Sequence, residues 1–266
     1  MLDASRPLVM GVVNLTDDSF SGDGSRGDVA SALAHAHALI DEGAHILDLG
    51  AESSRPGAQP VSAAHELSRL LPVLDGLRQT GVPVSVDTVK PVVMREALLA
   101  GADMINDINA LRAPGALEAV ADSRAAVCLM HMQGEPATMQ QAPHYADVVT
   151  EVAEFLAERV AAAEAAGIAL DRICVDPGFG FGKSLDHNLE LLRRLGELDV
   201  PGLPLLVGIS RKSMIGLLTG RAVDERVAGC VAANVVAALR GARIFRVHDV
   251  KPTRDALAVI SALEEW

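Results

Sequence analysis

Cysteine is scarce in this chain: Cys128, Cys174 and Cys230 are the three in 266 residues, far apart and with no C-x-x-C pair. That composition argues against a disulfide framework or a zinc site and for a reducing compartment. Positive charge is also short, with 23 Lys and Arg against 35 Asp and Glu and a formal net charge of -12. Proteins that track phosphate backbones carry basic faces, so no nucleic-acid partner is expected, and an anionic substrate has to find a local cationic pocket. No apolar run is long enough for a bilayer; the longest, near Val227 to Leu239, is broken by Asn234. The opening MLDASRPLVM lacks a basic stretch followed by an apolar one, so a cytoplasmic protein without membrane partners is expected. The glycine-rich segment DPGFGFGK has neither G-x-G-x-x-G nor Walker spacing, and H-E-x-x-H is missing from the chain, which leaves dinucleotide, P-loop and zincin chemistry unsupported there. No Pro/Ser-rich linker or low-complexity tract divides the chain, and a single domain over 1–266 is expected.

What is present is alternation. Short β-branched or Leu-rich runs are followed by Ala-rich stretches of helical length, eight times. The strand candidates are 8–13, 45–49, 83–87, 103–107, 126–130, 172–176, 204–208 and 243–247, mostly apolar along their length as strands covered on both faces are. Helices are predicted over 28–42, 63–79, 89–100, 146–166 and 224–240 from apolar residues at helical spacing. Gly43, Gly81, Gly101, Gly167 and Gly241 sit where these helices give way to the next strand, the place of a left-handed C-cap. Eight units in this length fit an α/β fold of the (β/α)8 TIM-barrel type better than a six-stranded doubly wound sheet.

A closed barrel presents all its C-terminal strand ends at one mouth, and polar residues interrupt the strands there. The ends carry Asn14, Asp48 with Glu52 and Arg55, Asp87, Asn106 with Asp107, His131, Asp176, Ser210 with Arg211 and Lys212, and Arg246 with His248. A single such residue is well explained as a helix cap or turn former; eight strand ends together point to a site. DPGFGFGK (Asp176 to Lys183) offers glycines for close approach to a flat ligand and Phe179 and Phe181 to stack on it. SRKS (Ser210 to Ser213) and RVHD (Arg246 to Asp249) follow strands seven and eight, where barrel enzymes often hold phosphate. Asp87, Asn106, Asp176 and Lys212 form a mixed donor and acceptor set suited to the edge of a planar heterocycle. A dedicated metal cage is not indicated, although a Mg²⁺ shared with substrate phosphates is compatible with the set.

GVVNLTDDSFSGDG (Gly11 to Gly24), DLGAESSRPGA (Asp48 to Ala58), SVDTVKP (Ser85 to Pro91), INDI (Ile105 to Ile108), MHMQG (Met130 to Gly134), DPGFGFGK, SRKSMIG and RVHDV occur in this order. Together they resemble the dihydropteroate synthases. The resemblance implies transfer of a 7,8-dihydropterin-6-ylmethyl group from its diphosphate ester to 4-aminobenzoate, with Mg²⁺, in a cytoplasmic homodimer that sulfonamides target. It also implies roles. Asp87, Asn106, Asp176 and Lys212 would hold the pterin; Asn14, Ser54, Arg246 and His248 the diphosphate, Asn14 also binding Mg²⁺. Phe20, Arg55, Pro56, Phe181, Lys212 and Ser213 would frame the aminobenzoate. Asp48 and Gly208 complete the substrate-binding set, and Asp87, Asp176, Lys212, Arg246 and His248 are the expected catalytic residues. The chain departs from the family pattern with Asp17 in the place of a proline and Ser54 in the place of a threonine. The alternatives are a catalytically weak pterin-binding paralogue and a barrel like the pterin-dependent methyltransferases.

Overall fold

A computed structural model describes residues 6–16, 25–54, 59–198, 200 and 202–263. In chain order the elements are β1 (Leu8–Asn14), α1 (Ser25–Asp41), β2 (Ile46–Gly50), α2 (Ala63–Leu77), β3 (Val84–Asp87), α3 (Pro91–Leu99), β4 (Met104–Asp107) and α4 (Ala116–Ala121). They continue with β5 (Ala126–Met130), α5 (Val148–Ala165), β6 (Ile173–Asp176), α6 (Leu185–Arg193), β7 (Leu205–Val207), α7 (Ser213–Thr219), α8 (Val227–Leu239), β8 (Ala242–Val247) and α9 (Val250–Leu263). Each strand pairs in parallel with the next and β8 returns to β1, closing a (β/α)8 barrel. The five glycines expected to end helices all take positive φ.

Where helix boundaries differ from those predicted, side chains or proline decide. The helix expected from Val89 starts at Pro91, because a residue before proline is biased to extended backbone and Lys90 is extended, with φ -99 and ψ 117. The one expected from Ala146 starts at Val148, where the Asp147 carboxylate accepts the Val149 and Thr150 N–H groups at 3.0 and 2.9 Å. The one expected from Asp224 begins at Val227 after a 3-10 turn over Val223–Glu225.

Strand side chains alternate between the barrel interior and the surrounding helices. Outward residues such as Leu47, Leu49, Val86, Ile105 and Phe245 join the main apolar core between strands and helices. Inward residues form a second cluster that includes Leu8, Met10, Ile46, Met104, Cys128 and Ile244. Moving along the same inward positions toward the C-terminal strand ends, Ile46 gives way to Asp48, Met104 to Asn106, Cys174 to Asp176 and Ile244 to Arg246. The barrel therefore has an apolar floor and a polar rim, set by a two-residue period.

Leu47 is fully buried on the outward face of β2. Leu47→Ala is expected to cost about 2–5 kcal/mol, since close-packed surroundings refill a cavity only partly. A urea titration checks it: the midpoint falls while the slope stays that of the parent protein.

Candidate active site

The rim is built around one guanidinium. Arg246, inward on β8, donates from Nε to Asp48 Oδ2 at 2.6 Å and from Nη2 to Asp87 Oδ2 at 2.9 Å. Asn106 Nδ2 donates to the same Asp48 oxygen at 3.3 Å. Barrel register makes this possible: Gly50 pairs with Asp87, Asp87 with Asn106 and Met10 with Arg246, so the groups meet across strands far apart in sequence. Asp48 is fully buried, and its Oδ1 and the Ser85 hydroxyl have no hydrogen-bond partner among the described residues.

Burial over the apolar floor dominates the electrostatics. It pushes the Asp87 carboxyl up to about 7, Arg246 working against the rise while Asp48, Asp107 and Glu66 add to it. Asp176, on β6, rises to about 6 for the same reason, opposed by the Gly178 N–H that reaches its Oδ1 at 2.7 Å and by Lys212, Lys183 and Arg246. For Arg246 burial works against the charge, but Asp48 and Asp87 outweigh it and hold the guanidinium above its ordinary value.

Around this centre the loops after β6, β7 and β8 supply cations and a ring. Lys212 Nζ lies 3.8 Å from the centre of the Phe181 ring, a cation–π contact. Arg211 holds left-handed backbone at φ 59, and the Arg226 Nη1 donates to the Arg211 and Lys212 carbonyls at 3.0 and 3.3 Å, fixing the turn that aims Lys212. Ser210 Oγ accepts the His248 N–H at 3.2 Å and lies 3.1 Å from His248 Nδ1, while Arg211 pairs with Asp249 at 2.7 Å. SRKS and RVHD are thus tied to each other, and Arg211 serves that tie. Gly208 follows β7 beside Asp176 and Arg246: a Cβ there would lie 3.9 Å from Asp176 Oδ2 and 4.0 Å from Arg246 Cβ.

Asp48, Asp87, Asn106 and Arg246 are therefore bonded together, and Asp176, Gly208, Lys212 and Phe181 adjoin one another through the contacts above. Asn14 is half-buried at the end of β1, Ser54 is half-buried in the segment after β2, and Ser213 is exposed at the start of α7. Phe20, Arg55, Pro56 and Asp17 lie outside the described residues. Three strand-end groups have structural duties. Asp107 accepts the Asn109 and Leu111 N–H groups at 2.7 and 2.8 Å. Glu52 accepts the Val61 N–H at 3.1 Å and pairs with Lys90, which also binds buried Glu66 at 2.7 Å. His131 meets Lys183, a residue that sequence reasoning passed over because lysine is ordinarily a surface residue. An apolar cluster of Ile108, Met130, Met132, Met139 and Phe181 was also missed, though the methionines of MHMQG were a visible signal.

Among the described residues no three His, Cys, Asp or Glu side chains gather to hold a metal. Asn14 offers one amide oxygen, the hard donor that Mg²⁺ takes when water and substrate phosphate complete its shell. An amide oxygen of this kind is compatible with a Mg²⁺ brought in by a phosphate-bearing ligand.

Comparison with known proteins agrees with this geometry. Residues 10–248 match the family described as pterin binding enzyme. The dihydropteroate synthase of Escherichia coli (strain K12) is 52% identical over 262 residues, 98% of this chain and 93% of that one. A Xanthomonas albilineans dihydropteroate synthase solved with 4-aminobenzoic acid superposes with a TM-score of 0.93 at 55% identity, over 98% of this chain and 94% of that one. The Yersinia pestis dihydropteroate synthase in a sulfonamide drug complex gives 0.93 at 49% identity, over 98% and 96% of the two chains. Neither the methyltransferase-like barrel nor the catalytically weak paralogue is favoured by such likeness. The chain belongs to the pterin-binding enzyme family and, within it, to the dihydropteroate synthases.

Proposed function

We propose that the rim carries out the dihydropteroate synthase reaction with the residues that meet there. The reaction joins 7,8-dihydropterin-6-ylmethyl diphosphate to 4-aminobenzoate, giving 7,8-dihydropteroate and diphosphate. One observation carries the assignment of roles: carboxylates, an amide and cations from β2, β3, β4, β6 and β8 converge on one mouth above an apolar floor. Asp87 and Asp176 accept from the amino and N–H groups of the pterin, Asn106 both gives and accepts, and Lys212 donates to ring oxygen or nitrogen. Asp48 holds Arg246 and Asn106 in place from below. The Met and Ile side chains beside Phe181 give the flat ring an apolar wall.

When the carbon–oxygen bond to diphosphate breaks, its electron pair leaves with the diphosphate and positive charge develops on the pterin methylene. Ionised Asp87 and Asp176, fixed before the reaction starts, stabilise that charge. Arg246 spends two N–H groups on carboxylates and keeps others for the leaving diphosphate, next to His248, Asn14 and Ser54. The aminobenzoate nitrogen then forms the new bond to carbon and releases a proton. Phe20, Arg55, Pro56, Phe181, Lys212 and Ser213 frame the aminobenzoate, and a sulfonamide competes for the same face. Mg²⁺ held through Asn14 and the diphosphate would neutralise charge on the leaving group. The chain acts as one domain over 1–266, in the cytoplasm, as a homodimer.

Diphosphate release is the direct test. Sustained release is expected only with both substrates and Mg²⁺ present, to stop on chelation and to return when Mg²⁺ is restored; multiple-turnover release that yields no 7,8-dihydropteroate contradicts the scheme. A pH series tests the carboxylates. Raised pKa values leave Asp87 and Asp176 protonated on the acid side of about 7 and about 6, so kcat/KM for the pterin ester should fall as pH drops through that window. Asp87→Asn should lower turnover about 10²–10³-fold, the scale of losing one preorganised electrostatic partner, and remove the upper part of the pH dependence. A profile flat from pH 5 to 8 in the parent protein speaks against these roles.

A further inference from the structure

Lys183 closes the DPGFGFGK segment and is only 2% exposed. Its Nζ has three acceptors: His131 Nδ1 at 2.9 Å, the Gly178 carbonyl at 3.0 Å and the Phe181 carbonyl at 3.1 Å. An ammonium has three N–H bonds, so each finds a partner. Burial, reinforced by Lys183, drives the His131 imidazole down to about 3, so the ring is neutral near pH 7 and its Nδ1 is free to accept. Lys183 itself is drawn down to about 7 by burial, with Asp176 opposing and Lys212 adding.

The two carbonyls that Lys183 grips bracket the part of the β6–α6 loop that serves the site. Gly178 sends its N–H to Asp176, and Phe181 puts its ring against Lys212. The loop is seated tightly on the end of β5. Gly178 and Gly182 have φ of 69 and 61, and a Cβ on either would run into the carbonyl oxygen of His131 or Gln133. A dry lysine in this seat loses its hydration, whereas an apolar side chain of similar volume would pack there without that loss. Stability alone therefore does not account for it.

We infer that Lys183 is a positioning residue for the transfer reaction: by tying the Gly178 and Phe181 carbonyls to His131 it holds the turn that aims Asp176 and seats Phe181 against Lys212. This rests on the function proposed above. On the assignments above, Phe181 and Lys212 frame the aminobenzoate and Asp176 meets the pterin, so loss of Lys183 is expected to weaken aminobenzoate binding through the first pair and to reach the pterin ester only through Asp176.

Lys183→Met, which keeps the stem and removes the donors, tests this. Its KM for 4-aminobenzoate is expected to rise about tenfold or more, in keeping with the rate cost of small misplacements. Amide hydrogen exchange over residues 177–183 should quicken while peptides from α2 and α9 exchange as in the parent. A residue needed merely for folding would lower the active fraction, hence kcat, and leave KM alone. An unchanged KM with unchanged exchange overturns the inference. Should Lys183→Met fail to fold, His131→Leu and His131→Gln decide it. The first should raise the aminobenzoate KM similarly and the second, which keeps an acceptor, should stay within about threefold of the parent; His131→Leu behaving like the parent overturns the inference. A parent protein that releases no diphosphate sinks the proposed function instead, and the exchange comparison then decides by itself whether Lys183 holds the loop.

Discussion

The Arg246 guanidinium, shared between Asp48 and Asp87 inside the barrel, is the interaction on which the rest of the site depends. Carboxylates and a guanidinium taken out of water over an apolar floor each lose hydration, and their mutual hydrogen bonds offset that loss. Arg supplies what Lys would not, a planar group whose Nε and Nη2 edges face two acceptors on different strands at once. Removing one partner from such a set ordinarily costs about 3–5 kcal/mol, because the remaining charge is left buried and unpaired. The three residues therefore define the geometry of β2, β3 and β8 at the mouth as firmly as packing does.

That arrangement also explains why a chain with net charge -12 can receive an anionic substrate. The acids lie deep, where burial lifts Asp87 and Asp176 toward neutral pH, and the basic groups of SRKS and RVHD stand at the strand ends around them. Pterin, with its N–H donors, suits the acidic depth; diphosphate suits the cationic edge. In the proposed reaction the bond that breaks would lie between the two, with opposite charges developing on the side suited to each.

Much of this was legible in the sequence because the barrel obeys a period of two. Asp87, Asn106 and Asp176 each end an otherwise apolar run, and such interruptions mark the mouth of any closed parallel barrel. Helix boundaries were less legible where a local device intervened: Pro91 delays α3, and Asp147 caps α5 one residue before its first helical turn. Asp107, alike in sequence to Asp87, proved to be a turn cap, since only three-dimensional position separates a carboxylate facing a ligand from one facing backbone N–H groups. Lys183 was opaque for the opposite reason. Nothing in a terminal lysine of a glycine-rich segment announces three buried acceptors, one of them on a histidine 52 residues away.

Arg246 and Asp48 are 198 residues apart, and the strand that brings them together is the last of the eight. During synthesis Asp48 and Asp87 emerge long before Arg246, so the growing half-barrel holds these carboxylates without their guanidinium partner until β8 docks. Completion of the cylinder and neutralisation of its interior are the same event. A chain cut short before residue 246 loses both together, which leaves no intermediate length at which a partial, working mouth could exist.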